Sequence, residues 1–209
     1  MSIQHTFKDI SSKVSSINLS HIMKEEILKQ PICSTKIVLV GGFSQAGKTS
    51  VLEILSKSYC TISSSELLHQ TLNDIYWMAG QAHFDTHDSK DSPVVFGGRM
   101  YKTGRDLLIY LAEKVLVENF GRGLFAVGCV NQIIPNAINF MECIGGDEET
   151  ELDKQLETNG YDDVIKINIR RHTEKPNVDI RQLLRCAVDV WNEGRIEKTV
   201  AQVNHLVGK

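Results

Sequence analysis

Runs of consecutive apolar residues recur along the chain at KIVLV (36–40), LFAVGCV (124–130) and AINFM (137–141), separated by segments whose apolar residues fall at helical spacing. Positions that are apolar without interruption suit strands of a parallel sheet covered on both faces, so all three runs are expected to be strands. VIKINI (164–169) alternates apolar and polar residues instead, which predicts a strand near a sheet edge. Helices are expected over 48–59, 66–78, 104–118 and 147–158. A C-terminal helix starts at Ile196, with Val200, Val203 and Val207 on one face. Strand and helix thus alternate from Lys36 onward, the pattern of an α/β layered domain.

Two stretches break the rhythm. Residues 1–35 stand apart: SHIMKEEILKQP predicts a short helix with Ser20 as N-cap and Pro31 just past its end, an N-terminal helical extension to a domain spanning 36–209. Residues 79–98, AGQAHFDTHDSKDSPVVFGG, show no period and read either as a surface loop or as a segment that closes over a substrate.

Composition narrows the class. A chain of 209 residues, 42% hydrophobic, can bury one good core. Its net charge of −3 supplies no bulk positive field for polyanions, so no stable nucleic-acid partner is expected and a small anion held by a few local cations fits better. Cys33, Cys60, Cys129, Cys143 and Cys186 are odd in number and contain no CxxC pair, which argues for reduced thiols in a cytoplasmic protein. No apolar run approaches the ~20 residues a bilayer span requires, so no membrane partner is expected.

The chemistry concentrates behind the first strand. GGFSQAGKTS (41–50) meets the spacing Gly42-x-x-x-x-Gly47-Lys48-Thr49, with a strand expected before it and a helix after it, the context in which this pattern forms a phosphate-binding P-loop. The glycines let backbone N–H groups of Ser44, Gln45, Ala46, Gly47, Lys48, Thr49 and Ser50 turn toward phosphate oxygens, with the helix N-terminus adding to their field. Lys48 would bridge terminal phosphates of ATP, and the Thr49 hydroxyl would meet Mg²⁺. Neither the DxxG and NKxD pair of GTPases nor an apolar strand ending in Asp-Glu is present. LFAVGCV runs into Asn131 and Gln132, and AINFM runs into Glu142, which is the candidate acid on the metal side because open α/β sheets hold ligands at strand C-termini.

Phosphoryl transfer asks the protein mainly to hold donor and acceptor in line and to neutralise the oxygens between them, so further cations are expected. Arg99, Lys102 and Arg105 gather at the start of the 104–118 helix, where Thr103-x-x-Asp106 resembles a capping box. Leu108, Leu111 and Val115 are expected to bury that helix's other face. Arg170 and Arg171 follow VIKINI and are candidates to close over the donor phosphates. Trp77, Tyr76 or Phe84 could stack on a base, although each also suits core packing; Ser63 to Ser65 could touch sugar or phosphate, and Asp85 could orient an acceptor.

Taken together, the P-loop, GRDLLIYLAEKV, INFMECIGGDEETELDKQLETNGYDDVIKINIRR and the ending VDVWNEGRIEKTVAQVNHLV resemble the P-loop nucleoside monophosphate kinases, in particular the deoxynucleoside monophosphate kinases of bacteriophages. The likeness spans 36–207. It implies a three-layer P-loop NTPase fold with a central parallel sheet flanked by helices, an acceptor-binding insertion at roughly 62–105 and a short lid at roughly 170–180. It also implies transfer of the ATP γ-phosphate, with Mg²⁺, to the 5′-phosphate of a nucleotide. Arg105 would match an arginine of the acceptor-side helix, and Arg170 or Arg171 a lid arginine. The chain departs from that pattern where phage enzymes often have Gly-Lys-Asp in place of Gly-Lys-Thr, and where Glu-Cys-Ile follows INFM in place of Asp-x-Arg. Those departures leave open a hydroxyl acceptor, free or in DNA, and a non-catalytic nucleotide-binding regulator. Self-association into a homodimer also stays open.

Overall fold

The computed structural model describes residues 34–43, 45–78, 91–143, 145–172 and 183–208, without the side chains of 76–78. The expected N-terminal helix, Ser44, Phe84, Asp85, the side chains of Tyr76 and Trp77, and the lid beyond His172 lie outside them.

Five parallel strands form the main sheet in the order β2-β5-β1-β6-β7. They are β1 (Lys36–Gly42), β2 (Cys60–Ser63), β5 (Ile138–Glu142), β6 (Val164–Arg170) and β7 (Val188–Trp191). β1 sits at the centre because it carries apolar residues on both faces: Ile37, Val38, Leu39 and Val40 are at most 1% exposed. Val38 and Val40 join Phe140, Ile167, Ile169 and Val190 in one core, covered by α1 (Lys48–Leu55) and α6 (Ile196–Val207). Ile37 and Leu39 face the other core with Met141 and Ile62, covered by α4 (Gly123–Val130) and α5 (Asp147–Thr158). The result is the three-layer P-loop fold expected, with helices on both faces of a parallel sheet. The α6 face is the one expected: Val203 and Val207 are buried, and Val200 packs against the same core.

Two expectations are corrected. LFAVGCV is helix α4, not a strand. Its buried residues Ala126, Cys129 and Val130 fall at i, i+3 and i+4, while Val127 is exposed; an apolar residue at every position hid that period, since short buried helices and strands share the same composition. β6 is interior, paired with β1 on one side and β7 on the other. Its polar positions do not face solvent. Lys166 Nζ donates to Glu149 Oε1 and Asp153 Oδ2, each at 2.7 Å, and the Asn168 amide exchanges two bonds with the backbone of Leu184.

A third apolar cluster lies off the sheet. Leu72 of α2 (Ser64–Met78) packs with Tyr101, Leu107, Leu108 and Leu111, joined at the margin by Val115. These residues belong to a hairpin, β3 (Val94–Phe96) and β4 (Arg99–Tyr101), and to α3 (Gly104–Tyr110), which continues through a π-helical stretch Leu111–Val117 to a last turn at Glu118–Phe120. The hairpin was not expected from the aperiodic reading of 79–98. Its turn is Gly97-Gly98, with φ of 57° and 74°, the positive pair that a two-residue turn between antiparallel strands demands.

Candidate functional site

The glycine loop emerges from β1 at the C-terminal edge of the sheet and feeds α1. Gly42 has φ 131°, and a Cβ there would stand closer than 3.0 Å to the Ile169 carbonyl oxygen. Gln45 adopts the left-handed region at φ 67°, and Gly47 follows at φ 95°. Such residues are disfavoured unless the alternation serves to turn successive N–H groups into one concavity. Gly47 caps α1 without a side-chain bond, and the first helical bond runs from Val51 N–H to Gly47 O. No acidic residue lies in that first turn, so the helix N-terminus keeps its preference for an anion.

Asn192, directly after β7, pins the loop from outside. Its Nδ2 donates to Ala46 O at 2.9 Å, its Oδ1 accepts from the Thr199 hydroxyl at 3.1 Å, and its backbone N–H donates to Arg170 O at 2.8 Å. Both Asn192 and Thr199 are buried, and a Cβ on Gly47 would collide with the Asn192 amide. Gly47 is therefore required twice, by its φ and by this approach.

The Lys48 ammonium donates to Gly42 O at 2.7 Å and Phe43 O at 3.1 Å, across the mouth of its own loop. Burial pushes its pKa down, and the neighbouring Glu142 charge opposes that shift. Glu142 ends β5, in register with Val40 of β1 and Ser63 of β2. Its Oε2 accepts from Ser63 Oγ at 2.8 Å, and Ser63 Oγ lies 2.8 Å from Ser65 Oγ. Lysine, carboxylate and the exposed Thr49 thus share the sheet edge at which ligands of open α/β sheets bind. The helix at 124–130 removes the rival acid position, leaving Glu142 as the candidate on a strand beside β1.

The paired arginines part company. Arg170 bonds Asp189 Oδ2 at 3.0 Å and places its guanidinium over the rings of Phe43, at 5.2 Å, and Trp191, at 5.4 Å. It braces the loop against β7. Arg171 is exposed, and its Nη2 lies 3.5 Å from the point a Gly47 Cβ would occupy, directly beside the phosphate loop. His172 stacks on Trp191 with centroids 4.6 Å apart and pairs with Glu193.

Arg99, Lys102 and Arg105, the cations expected on the acceptor side, ride on the separate apolar cluster. The capping box forms as read, Thr103 Oγ1 accepting from Asp106 N–H and Asp106 Oδ2 accepting from Thr103 N–H, each at 3.1 Å. Arg105 and Lys102 are exposed at this helix start. Arg99 lies over the rings of Tyr101 and Tyr110, at 5.5 and 5.4 Å. Sequence offers Ser63 to Ser65 as contacts for a sugar or phosphate but does not join them to Glu142, and it does not show Asn192 as a clamp. Only the fold brings Asn192 to Ala46, 146 residues apart in the chain.

No family model and no curated protein matches the chain. Solved structures similar to it include an APS kinase of Mycobacterium tuberculosis, with a TM-score of 0.44, 12% identity and coverage of 84% of this chain and 99% of that one. A gluconokinase from Sinorhizobium meliloti gives 0.35, 14%, 83% and 95%, and a sugar kinase from a Janibacter species gives 0.37, 12%, 83% and 94%. Likenesses this loose say nothing about the chemistry of this chain, which has to be argued from its own residues.

Proposed function

We propose that the protein is an ATP-dependent phosphotransferase whose acceptor is a nucleoside monophosphate. The observation that carries the reading is the glycine loop with Lys48 across its mouth and Glu142 on the adjacent strand. The loop suits a triphosphate: its turns at Gly42 and Gly47 cannot hold a side chain, so main-chain N–H groups can approach phosphate oxygens without obstruction. Thr49 and Glu142 supply hard oxygen ligands of the kind Mg²⁺ prefers, in a site that phosphates and water would complete. Bound there, the ion would neutralise charge between the outer phosphates. Lys48 would trade its bonds to Gly42 O and Phe43 O for phosphate oxygens, and Arg171 would add a second cation beside the loop. Arg105 and Lys102 would meet the acceptor phosphate, and Arg99 would stand behind them. Because Arg170 is committed to Asp189 and two rings, its role is support.

The assay is ADP release across a panel of nucleoside and deoxynucleoside monophosphates. Stimulation by at least one, lost in Lys48→Ala, is expected. Tight ATP binding without stimulation by any nucleotide would overturn the nucleotide acceptor and leave a hydroxyl acceptor or a nucleotide-binding regulator.

A further inference from the structure

β7 ends the strand order of the main sheet, and among the described residues no strand pairs with its outer edge. An open edge offers a row of N–H and C=O groups that proteins ordinarily blunt or cover. Here the edge is also apolar. Val188 is 47% exposed and Trp191 39%, and beside them Leu206 of α6 is 37% exposed. With Ala201, Gln202 and His205 they line a groove of about 540 Å³ between the strand and α6. The carboxylate in its wall, Asp189, is already bonded to Arg170. Apolar contact is therefore what the groove has to offer.

The chain itself brings a complementary segment to this place. Thirty-three residues precede Ser34, the first described one. They join β1 at the N-terminal edge of the sheet, where Lys36 Nζ donates to Val207 O at 3.1 Å, one residue from Leu206. Within them, HIMKEEILKQ (21–30) would set Ile22, Met23, Ile27 and Leu28 on one side of a helix, opposite Glu25 and Lys29. Ten residues alone are too few to hold a helix in water, so that stripe needs a surface. The tether suffices: residues 31–35 span up to ~17 Å, and a ten-residue helix of ~15 Å nearly matches the ~18 Å of α6. We propose that residues 21–30 dock in this groove as a helix and cover the edge of β7. Entering beside Val207, the segment sets Ile27 toward Val188 and Leu206, and Ile22 and Met23 toward Trp191. Trp191 is tied through Arg170 to Phe43 of the glycine loop, so the docked helix braces that loop from outside.

Photo-cross-linking in the full chain tests it, with benzoylphenylalanine in place of Met23 and the adducts located by mass spectrometry. They are expected on Trp191, Ala201 or Gln202 of the same molecule. With the probe in place of Ile27 they should move to Val188, His205 or Leu206. Leu206→Glu, at a position already exposed, should abolish the second set. In a Met23→Glu, Ile27→Glu double variant, amide exchange at β7 and the last turn of α6 should quicken roughly tenfold as the cover is lost. No adduct, adducts elsewhere on the chain, or exchange at β7 unchanged by the double substitution overturns the proposal. Mixing isotopically light and heavy protein separates the other occupant: adducts that join a light chain to a heavy one give the groove to a second copy and overturn its assignment to the chain's own segment.

Discussion

Replacing Gly47 by alanine should cost more than any methyl group has a right to. Its φ of 95° lies where an L side chain loses ~1–2 kcal/mol. The added Cβ would also stand closer than 3.0 Å to Asn192 Nδ2, an atom held by Ala46 O on one side of a buried amide whose other end takes the Thr199 hydroxyl. Relief requires the amide to withdraw and lose both bonds, at ~1–1.5 kcal/mol each. The sum, ~3–5 kcal/mol, is a large part of the 5–15 kcal/mol that holds a typical domain together. Asn192→Ala alone should cost ~2–3 kcal/mol through the same two bonds. In the double variant the obstacle is gone and the bonds are already lost, so it should be no less stable than Gly47→Ala alone. The single effects would then exceed the double by ~2 kcal/mol. Urea unfolding with linear extrapolation measures all four proteins. Additivity within ~0.5 kcal/mol would show that Gly47 and Asn192 do not collide as argued, and the account of the clamp would fall with it.

Lys166→Met should destabilise by ~3 kcal/mol, because Glu149, with none of its side chain exposed, would keep its charge with Arg185 as its one remaining cation among the described residues; urea unfolding checks this, and Lys166→Met with Glu149→Leu should recover much of the loss. Burial lowers the Lys166 pKa, but its bonds to Asp153 and Glu149 outweigh that and leave it raised above 10.5, so its contribution is complete below 10.5 and fades as pH rises through the folded value. Lys48 has the opposite sign: burial lowers its pKa and the unfolded chain holds that proton longer, so the stability difference between wild type and Lys48→Met should move in favour of wild type as pH climbs toward 10.5, as paired unfolding midpoints between pH 8 and 10.5 would show, while the raised Cys60, Cys129 and Cys143 thiols lower the stability of both proteins above pH 9. Arg171→Ala should lower kcat/KM about 10- to 100-fold with a small stability change, whereas Arg170→Ala should lower the unfolding free energy from urea titration by ~1–3 kcal/mol through its lost Asp189 bond; equal stability losses in the two would contradict their separate roles.

The layered fold was legible because β1 and β5 are mostly apolar and α6 repeats valines on one face, patterns that carry their structure locally. Where sequence misled, the cause was shared composition. GLFAVGCV is apolar on every side, so a helix buried against Leu67 and the sheet looked like a strand. VIKINI looked half-solvated because Lys166 and Asn168 are polar, yet both spend their polarity inside, on Glu149, Asp153 and Leu184. The Gly97-Gly98 hairpin did carry a local signal, VVF and RMY around a glycine pair, that the length of the aperiodic stretch obscured. The turn of the glycine loop was readable from its spacing. Its clamps were not, since Asn192 and Ile169 reach it only through the pairing of β6 with β1 and β7.

Those clamps bear on how the site would work. The connection from β6 to β7 begins at Arg170 and Arg171, beside the loop, and is tied down before β7 by Leu184 and Arg185. Leu184 N–H donates to Asn168 Oδ1 at 2.8 Å, and its side chain sits where a Gly41 Cβ would be. Arg185 N–H donates to Glu149 at 3.0 Å. Both roots of the connection therefore rest on the strands that carry the glycine loop, one at its tip and one at its base. Polar groups this well buried tolerate few alternative arrangements, because each displacement strands a partner. A loop braced in this way would bind phosphate with less of its own ordering still to be done, which is the condition under which main-chain N–H groups would contribute most to holding a charge that shifts during transfer.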